Sequence, residues 1–188
     1  MKSKLICYHY TNPEAYLSMR DGTNYREKGL LPMKRFVRLS HGSNLPNKAY
    51  DGVIEGLLEP EPKTWINNKE FPLTWNYLVH DFCRRQKTML LSFEILSKDQ
   101  AYVFERELYR KGKGQGESTK ESMDEAVKKQ WYSIIPAFEY EGGYSLPQFA
   151  IWTPVEFNRL KIEWVRDTRK IWKKEQKRLD KIYEEIGV

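Results

Sequence analysis

Three short segments near the N-terminus carry side chains suited to binding a nucleotide. They are Tyr8-His9-Tyr10-Thr11, Gly29-Leu30-Leu31-Pro32-Met33-Lys34-Arg35 and Val37-Arg38-Leu39-Ser40. An imidazole at a strand end offers a donor and an acceptor on separate nitrogens, which suits the diol of a ribose. A guanidinium offers a planar fork for phosphate oxygens, so Arg35 and Arg38 are candidate phosphate ligands. Thr11 and Ser40 add hydroxyls, and Tyr10 or Phe36 an aromatic face for a base. Farther along, Gln148 precedes an apolar run, and Glu105-Arg106 closes another. Each has an ordinary reading as well. His9 suits a half-buried strand histidine, Arg35 and Arg38 suit surface charges, and Gln148 suits the polar start of a strand. Glu105-Arg106 suits a surface ion pair worth less than about 1 kcal/mol.

Other chemistries are poorly served. His9, His41 and His80 lie far apart, with no His-Glu-x-x-His and no Cys/His quartet, so no metal is expected. Phosphate-loop, dinucleotide-fold and nucleophile-elbow patterns do not occur. Gly112, Gly114 and Gly116 sit among Lys and Glu without a strand-helix frame, and read as a plain flexible loop. Cys7 and Cys83 stand in apolar contexts without paired spacing, as buried thiols do. There is no run of about 18 apolar residues and no leader-like start, so a cytoplasmic chain away from membranes is expected.

The elements that must position these groups follow from pattern. Leu5–Tyr10 is rich in strand formers and stops at Thr11-Asn12-Pro13, where Asn12 caps and Pro13 opens a helix through Met19, ending near Asp21-Gly22. Ala15, Tyr16 and Met19 share its inner face. A turn at Gly29–Pro32 leads to a strand over Phe36–Ser40. Residues 41–75 hold many Gly and Pro, and read as a loop with short helices, one of them Tyr50–Leu58. Trp75–Arg84 has helical spacing, Thr88–Leu96 reads as a buried strand, and Ala101–Glu105 as another. Ser118-Thr119-Lys120-Glu121 is a capping box opening a helix to about Trp131. Phe149–Trp152 reads as a strand. A second capping box, Thr153-Pro154-Val155-Glu156, opens a short helix, and Leu160–Val165 alternates like a half-exposed strand. Strands scattered among short helices favour an α+β fold.

The 188 residues, 40% hydrophobic and 14% aromatic, suit one folded domain over 1–166, followed by a basic amphipathic C-terminal helix over 167–188 packed on or extending from it. Ile171, Trp172, Leu179, Ile182 and Ile186 form that helix's apolar stripe, which also suits self-association. Between Arg159 and Glu185 ten basic and six acidic residues leave +4 of the chain's net +6. A mixed basic helix is commonly a solvated face, and also suits a polyanionic partner.

The ordered set Tyr8-His9-Tyr10-Thr11, Gly29–Arg35 and Val37–Ser40 resembles the NAD-dependent RNA 2′-phosphotransferases and related mono-ADP-ribosyltransferases. The likeness is closest over residues 5–40. It continues in order at Leu90–Leu96, which is similar to their central strand, and at Phe149–Leu160, similar to their closing strand, proline turn and helix. The resemblance implies a mixed, mostly antiparallel split sheet of ADP-ribosyltransferase type, with NAD as substrate and no metal. It also implies transfer of ADP-ribose to a nucleic acid or 2′-phosphate acceptor. His9 would then contact the ribose and phosphate region, and Arg35 the phosphates. Two positions depart from the family. Arg38 stands where the phosphotransferases carry His, and would bind an anion. Gln148 stands where many ADP-ribosyltransferases carry Glu. A neutral amide orients a hydroxyl but supplies no negative charge to an oxocarbenium-like state. The alternative reading is a non-catalytic nucleic-acid-binding or protein-interaction module working through the basic C-terminal helix.

Overall fold

The first helix begins where its side chains can satisfy its open end. Asn12 is extended, and its Oδ1 accepts the amide of Ala15 at 3.0 Å. Pro13 follows in the first turn, where its missing N–H costs nothing. At the other end Gly22 takes φ 71°, open to glycine at little cost, and its amide closes on the Ser18 carbonyl. This helix, α1 (Pro13–Asp21), follows β1 (Ile6–Thr11), as the strand formers of that segment require. Ala15, Tyr16 and Met19 are half-buried, and Tyr16 packs on Phe157 with ring centroids 5.3 Å apart.

The computed structural model describes residues 4–22, 28–32, 52–61, 87–108 and 120–167, with 173, 174, 177, 180 and 181 beyond. Among these residues there are seven strands in an α+β arrangement, and β2 pairs with β6, β3 with β7, and β4 with β5 and β6, all antiparallel. The remaining strands are β2 (Ile54–Leu57), β3 (Lys87–Glu94), β4 (Ala101–Glu105), β5 (Ile135–Pro136), β6 (Pro147–Ile151) and β7 (Lys161–Asp167). The second helix, α2, spans Lys120–Tyr132. The strand expected over 36–40, the helix over 75–84, the glycine loop of 110–120 up to Lys120, and the apolar stripe of the tail lie outside the described residues.

The chain folds as two compact units. One comprises Met1–Cys7, Leu30–Leu58 and Glu94–Val155, with strand order β5-β4-β6-β2. Both faces of its sheet are covered: Val103, Phe149, Ile151 and Ile54 are buried on one, Phe104, Ala150 and Val53 on the other. Ile134 and Trp152 pack on the Val53, Phe104 and Ala150 cluster. Edge-on contacts join Tyr102 to Trp152 at 5.2 Å and Trp152 to Trp131 of α2 at 5.9 Å.

The other unit comprises Tyr8–Gly29, Glu59–Phe93 and Glu156–Val188, and orders its strands β1-β3-β7. Six consecutive residues of β3, from Thr88 to Phe93, are buried, as a strand covered on both faces demands. Tyr10 meets Trp164 edge-on at 5.6 Å, and its hydroxyl donates to the Pro60 carbonyl at 2.8 Å. Arg166 lies 4.1 Å over the Trp164 ring while pairing with Glu61 at 2.6 Å.

Two expectations yield to pairing across the sheet. Residues 50–58 were expected to be helical, but Ile54–Leu57 forms β2, with Gly56 opposite Phe149. Glycine weakens a helix by about 1 kcal/mol relative to Ala, and the hydrogen bonds of β6 are available only in the tertiary fold. The capping box at Thr153–Glu156 opens no α-helix. Thr153 Oγ1 accepts the amide of Gln100 instead, Leu30 and Val155 exchange amide-carbonyl bonds at 2.9 Å, and only the 3-10 turn Phe157–Arg159 follows.

The register of β3 with β7 shifts between Leu90 and Leu91, leaving Glu163 as the extra residue of a bulge. Glu163 accepts from Ser92 Oγ at 2.6 Å and pairs with Lys161 at 3.1 Å. The Ser92 hydrogen bond, then Lys161, holds its carboxyl below the ordinary range. A carboxyl depressed by folding stabilises above its unfolded pKa, and that contribution is lost as pH falls through the folded value. Ser92→Ala should therefore lower the urea midpoint at pH 7, with the gap to the parent narrowing as pH drops below 4; a gap independent of pH would refute the assignment.

Candidate functional site

The expected nucleotide residues of β1 divide between its two faces, because successive strand side chains point to opposite sides. His9 and Thr11 share one face, half-buried and buried respectively. Tyr10 points to the other, where Trp164 and the Pro60 carbonyl engage it. The aromatic wall anticipated at Tyr10 is thus not on His9's side. Arg35, Phe36, Arg38 and Ser40 lie outside the described residues.

Gln148 and Glu105 belong to the other unit and are also on opposite faces. In the β4–β6 register Phe104 is opposite Gln148 and Glu105 opposite Pro147. Glu105 is 8% exposed and both its carboxylate oxygens are engaged. Oε1 accepts the amides of Glu107 at 3.0 Å and Leu146 at 2.9 Å, and Oε2 accepts the amide of Ser145 at 2.5 Å. Its own amide donates to Ser133 Oγ at 3.1 Å, and the Arg106 amide to the Leu146 carbonyl at 3.0 Å. A buried carboxylate bound by three backbone amides is a structural clamp rather than half of a surface ion pair. It secures the chain two residues before β6 begins. The loop it holds turns through Gly142 and Gly143 at φ 108° and 95°. Tyr140 and Tyr144 stack there at 5.1 Å, and Tyr144 donates to the Ser133 carbonyl. Burial raises the pKa of both phenols, and the Glu105 charge adds to it.

Past that clamp, Gln148 is 2% exposed. Its Nε2 donates to Oε2 of Glu55 at 3.4 Å, while its Oε1 is buried and accepts nothing. An unpaired buried acceptor costs about 1–3 kcal/mol, so the position carries a polar group against its own stability. Glu55, on β2, is half-buried and shares Gln148's face, since Leu57 is opposite Gln148 and Glu55 opposite Ala150. It went unrecognised because 50–58 reads as helical. The signal was one acid inside the run Val53-Ile54-Glu55-Gly56-Leu57-Leu58. Gln130 of α2 is likewise 2% exposed with an unpaired Nε2.

Burial pushes the Cys7 thiol far up, so it remains protonated and is no nucleophile; Cys83 lies outside the described residues. No group of three or more His, Cys, Asp or Glu among the described residues could hold a metal ion, and no described helix is long and apolar enough to cross a membrane. Comparison with protein-family models, curated proteins and solved structures finds no match.

Replacing Glu105 separates clamp from chemistry. Glu105→Ala should lower unfolding free energy by at least about 2 kcal/mol in urea titration, because buried amides lose their acceptor, while Glu105→Gln should lose less by keeping one oxygen. Stability unchanged in both would rule the clamp out.

Proposed function

We propose that this chain binds NAD or a related nucleotide and is an ADP-ribosyltransferase-like protein acting on a nucleic-acid or 2′-phosphate acceptor. The observation that carries the reading is the placement of His9 and Thr11 on one face of β1, immediately before an Asn12-capped helix. That places an imidazole and a hydroxyl side by side, a pairing suited to a ribose diol. The resemblance of residues 5–40 to the NAD-dependent RNA 2′-phosphotransferases supports the same ligand. On this reading NAD is a substrate and no metal takes part. The test is calorimetry with NAD and with ADP-ribose on the parent and on His9→Ala. Binding by the parent that weakens at least about tenfold in His9→Ala is expected, equivalent to about 1.4 kcal/mol. Absence of heat with both ligands in the parent would end the proposal.

A second reading rests on the tail. Lys173, Lys177 and Lys181 are helical, exposed and four residues apart, so they form one row, with Lys174 beside it. Such a row suits a phosphate backbone, either as the acceptor's docking face or as the whole function of a nucleic-acid-binding module. Replacing the three lysines of the row with Glu should flatten the log–log salt dependence of duplex binding by up to about 3, since each phosphate contact contributes about 0.9. An unchanged slope would exclude the row.

A further inference from the structure

The bulge in β7 re-aims a side chain. In a regular strand Lys161, three residues before Trp164, would point to the opposite face. With Glu163 taken up by the bulge, Lys161, Trp164 and Arg166 stand opposite Ser92, Leu90 and Thr88, alternate residues of β3, and so share one face. The strand is last in the order β1-β3-β7, at the edge of its unit's sheet. An ammonium, an indole and a guanidinium are thereby brought into line on that edge. Lys161 is 74% exposed and Arg166 47%.

This row is held in place from beneath. Tyr10 meets the Trp164 ring edge-on while its own hydroxyl is fixed on the Pro60 carbonyl. The Arg166 guanidinium carbon lies 4.1 Å from the centre of the Trp164 ring, and Arg166 Nη1 donates to Glu61 Oε1 at 2.6 Å. With the indole under it and a carboxylate at one nitrogen, about half of the arginine side chain still meets solvent. The pairs Lys161–Glu163 and Arg166–Glu61 are both solvent-exposed, and such pairs are weak enough for a phosphate to replace the carboxylate.

We propose that this face of β7 binds single-stranded nucleic acid, with an unstacked base resting on the Arg166–Trp164 pair and a backbone phosphate on Lys161. A guanidinium laid flat on an indole offers a planar stacking surface and a charge in one group. Such planes recognise the faces of bases, which a single strand exposes and a duplex hides in its own stack. Residues on one face of a strand are about 7 Å apart, so the three groups form a track along the edge, open at both ends, as a chain ligand requires. Neither His9 nor the lysine row of the tail takes part, so this face stands or falls separately from the nucleotide and duplex readings above.

Fluorescence anisotropy with a labelled oligouridylate of about 12 nucleotides, within the usual range of single-strand site sizes, tests the face in the full chain. Arg166→Lys keeps the charge and removes the plane, and should weaken binding about tenfold or more with the salt dependence unchanged. Lys161→Ala should flatten the log–log salt dependence by about 0.7, the share of one phosphate on a single strand. Both effects should persist when Lys173→Glu, Lys177→Glu and Lys181→Glu are combined to reverse the lysine row. In that row-reversed form a duplex of equal length should bind at least about tenfold more weakly than the oligouridylate. Arg166→Lys binding as tightly as the parent overturns the inference, as does a duplex bound as tightly as the single strand by the row-reversed form. A row-reversed form that binds no oligouridylate also overturns it, and leaves the lysine row as the nucleic-acid face. If Arg166→Lys fails to fold by circular dichroism, Lys161→Ala decides: the expected fall in salt dependence supports the inference, and an unchanged dependence overturns it.

Discussion

The buried carboxylate of Glu105 is the interaction on which the better-defined candidate region depends. A charge removed from water is tolerated only where hydrogen bonds replace its hydration, and here the amides of Glu107, Ser145 and Leu146 do so. The consequence is positional. Those bonds tie the end of β4 to the chain just before β6, and the Arg106 amide adds a bond to the Leu146 carbonyl. Pro147 then opens β6 opposite Glu105, at a strand start where its missing N–H does least harm. With that register set, Gln148 must fall on the face that carries Glu55.

The two polar devices of this unit differ in how well they are satisfied. Around Glu105, both oxygens are engaged. Around Gln148, one oxygen is buried and unpaired. Gln148 shares this with Gln130, whose Nε2 is likewise buried and unpaired. The aromatic cluster of Tyr102, Trp131 and Trp152 surrounds the same apolar core and gives this part of the sheet a firm support.

In the other unit the division of β1 between two faces has a comparable effect. Tyr10 is committed to Trp164 and to the Pro60 carbonyl, which anchors the strand from one side. His9 and Thr11 are directed to the opposite side by the same alternation. The anchoring tyrosine and the candidate ligands are therefore neighbours in sequence with separate tasks.

Local chemistry in the sequence was enough to determine β1, the capped helix after it, the buried strand β3, and β4, β6 and β7, since each depends on a hydrophobic period or a capping residue within a few positions. It also marked His9, Thr11 and Gln148. Tertiary structure alone decided β2, whose Gly56 and short length argue against a strand until β6 lies beside it, and the fate of Thr153, whose hydroxyl caps the Gln100 amide instead of a helix. It alone decided that Glu105 is a clamp and that Glu55 meets Gln148. Both depend on residues far apart in the chain, about 40 positions for Glu105 with Leu146 and about 90 for Glu55 with Gln148, and strand register across a sheet is not written in the spacing of either segment.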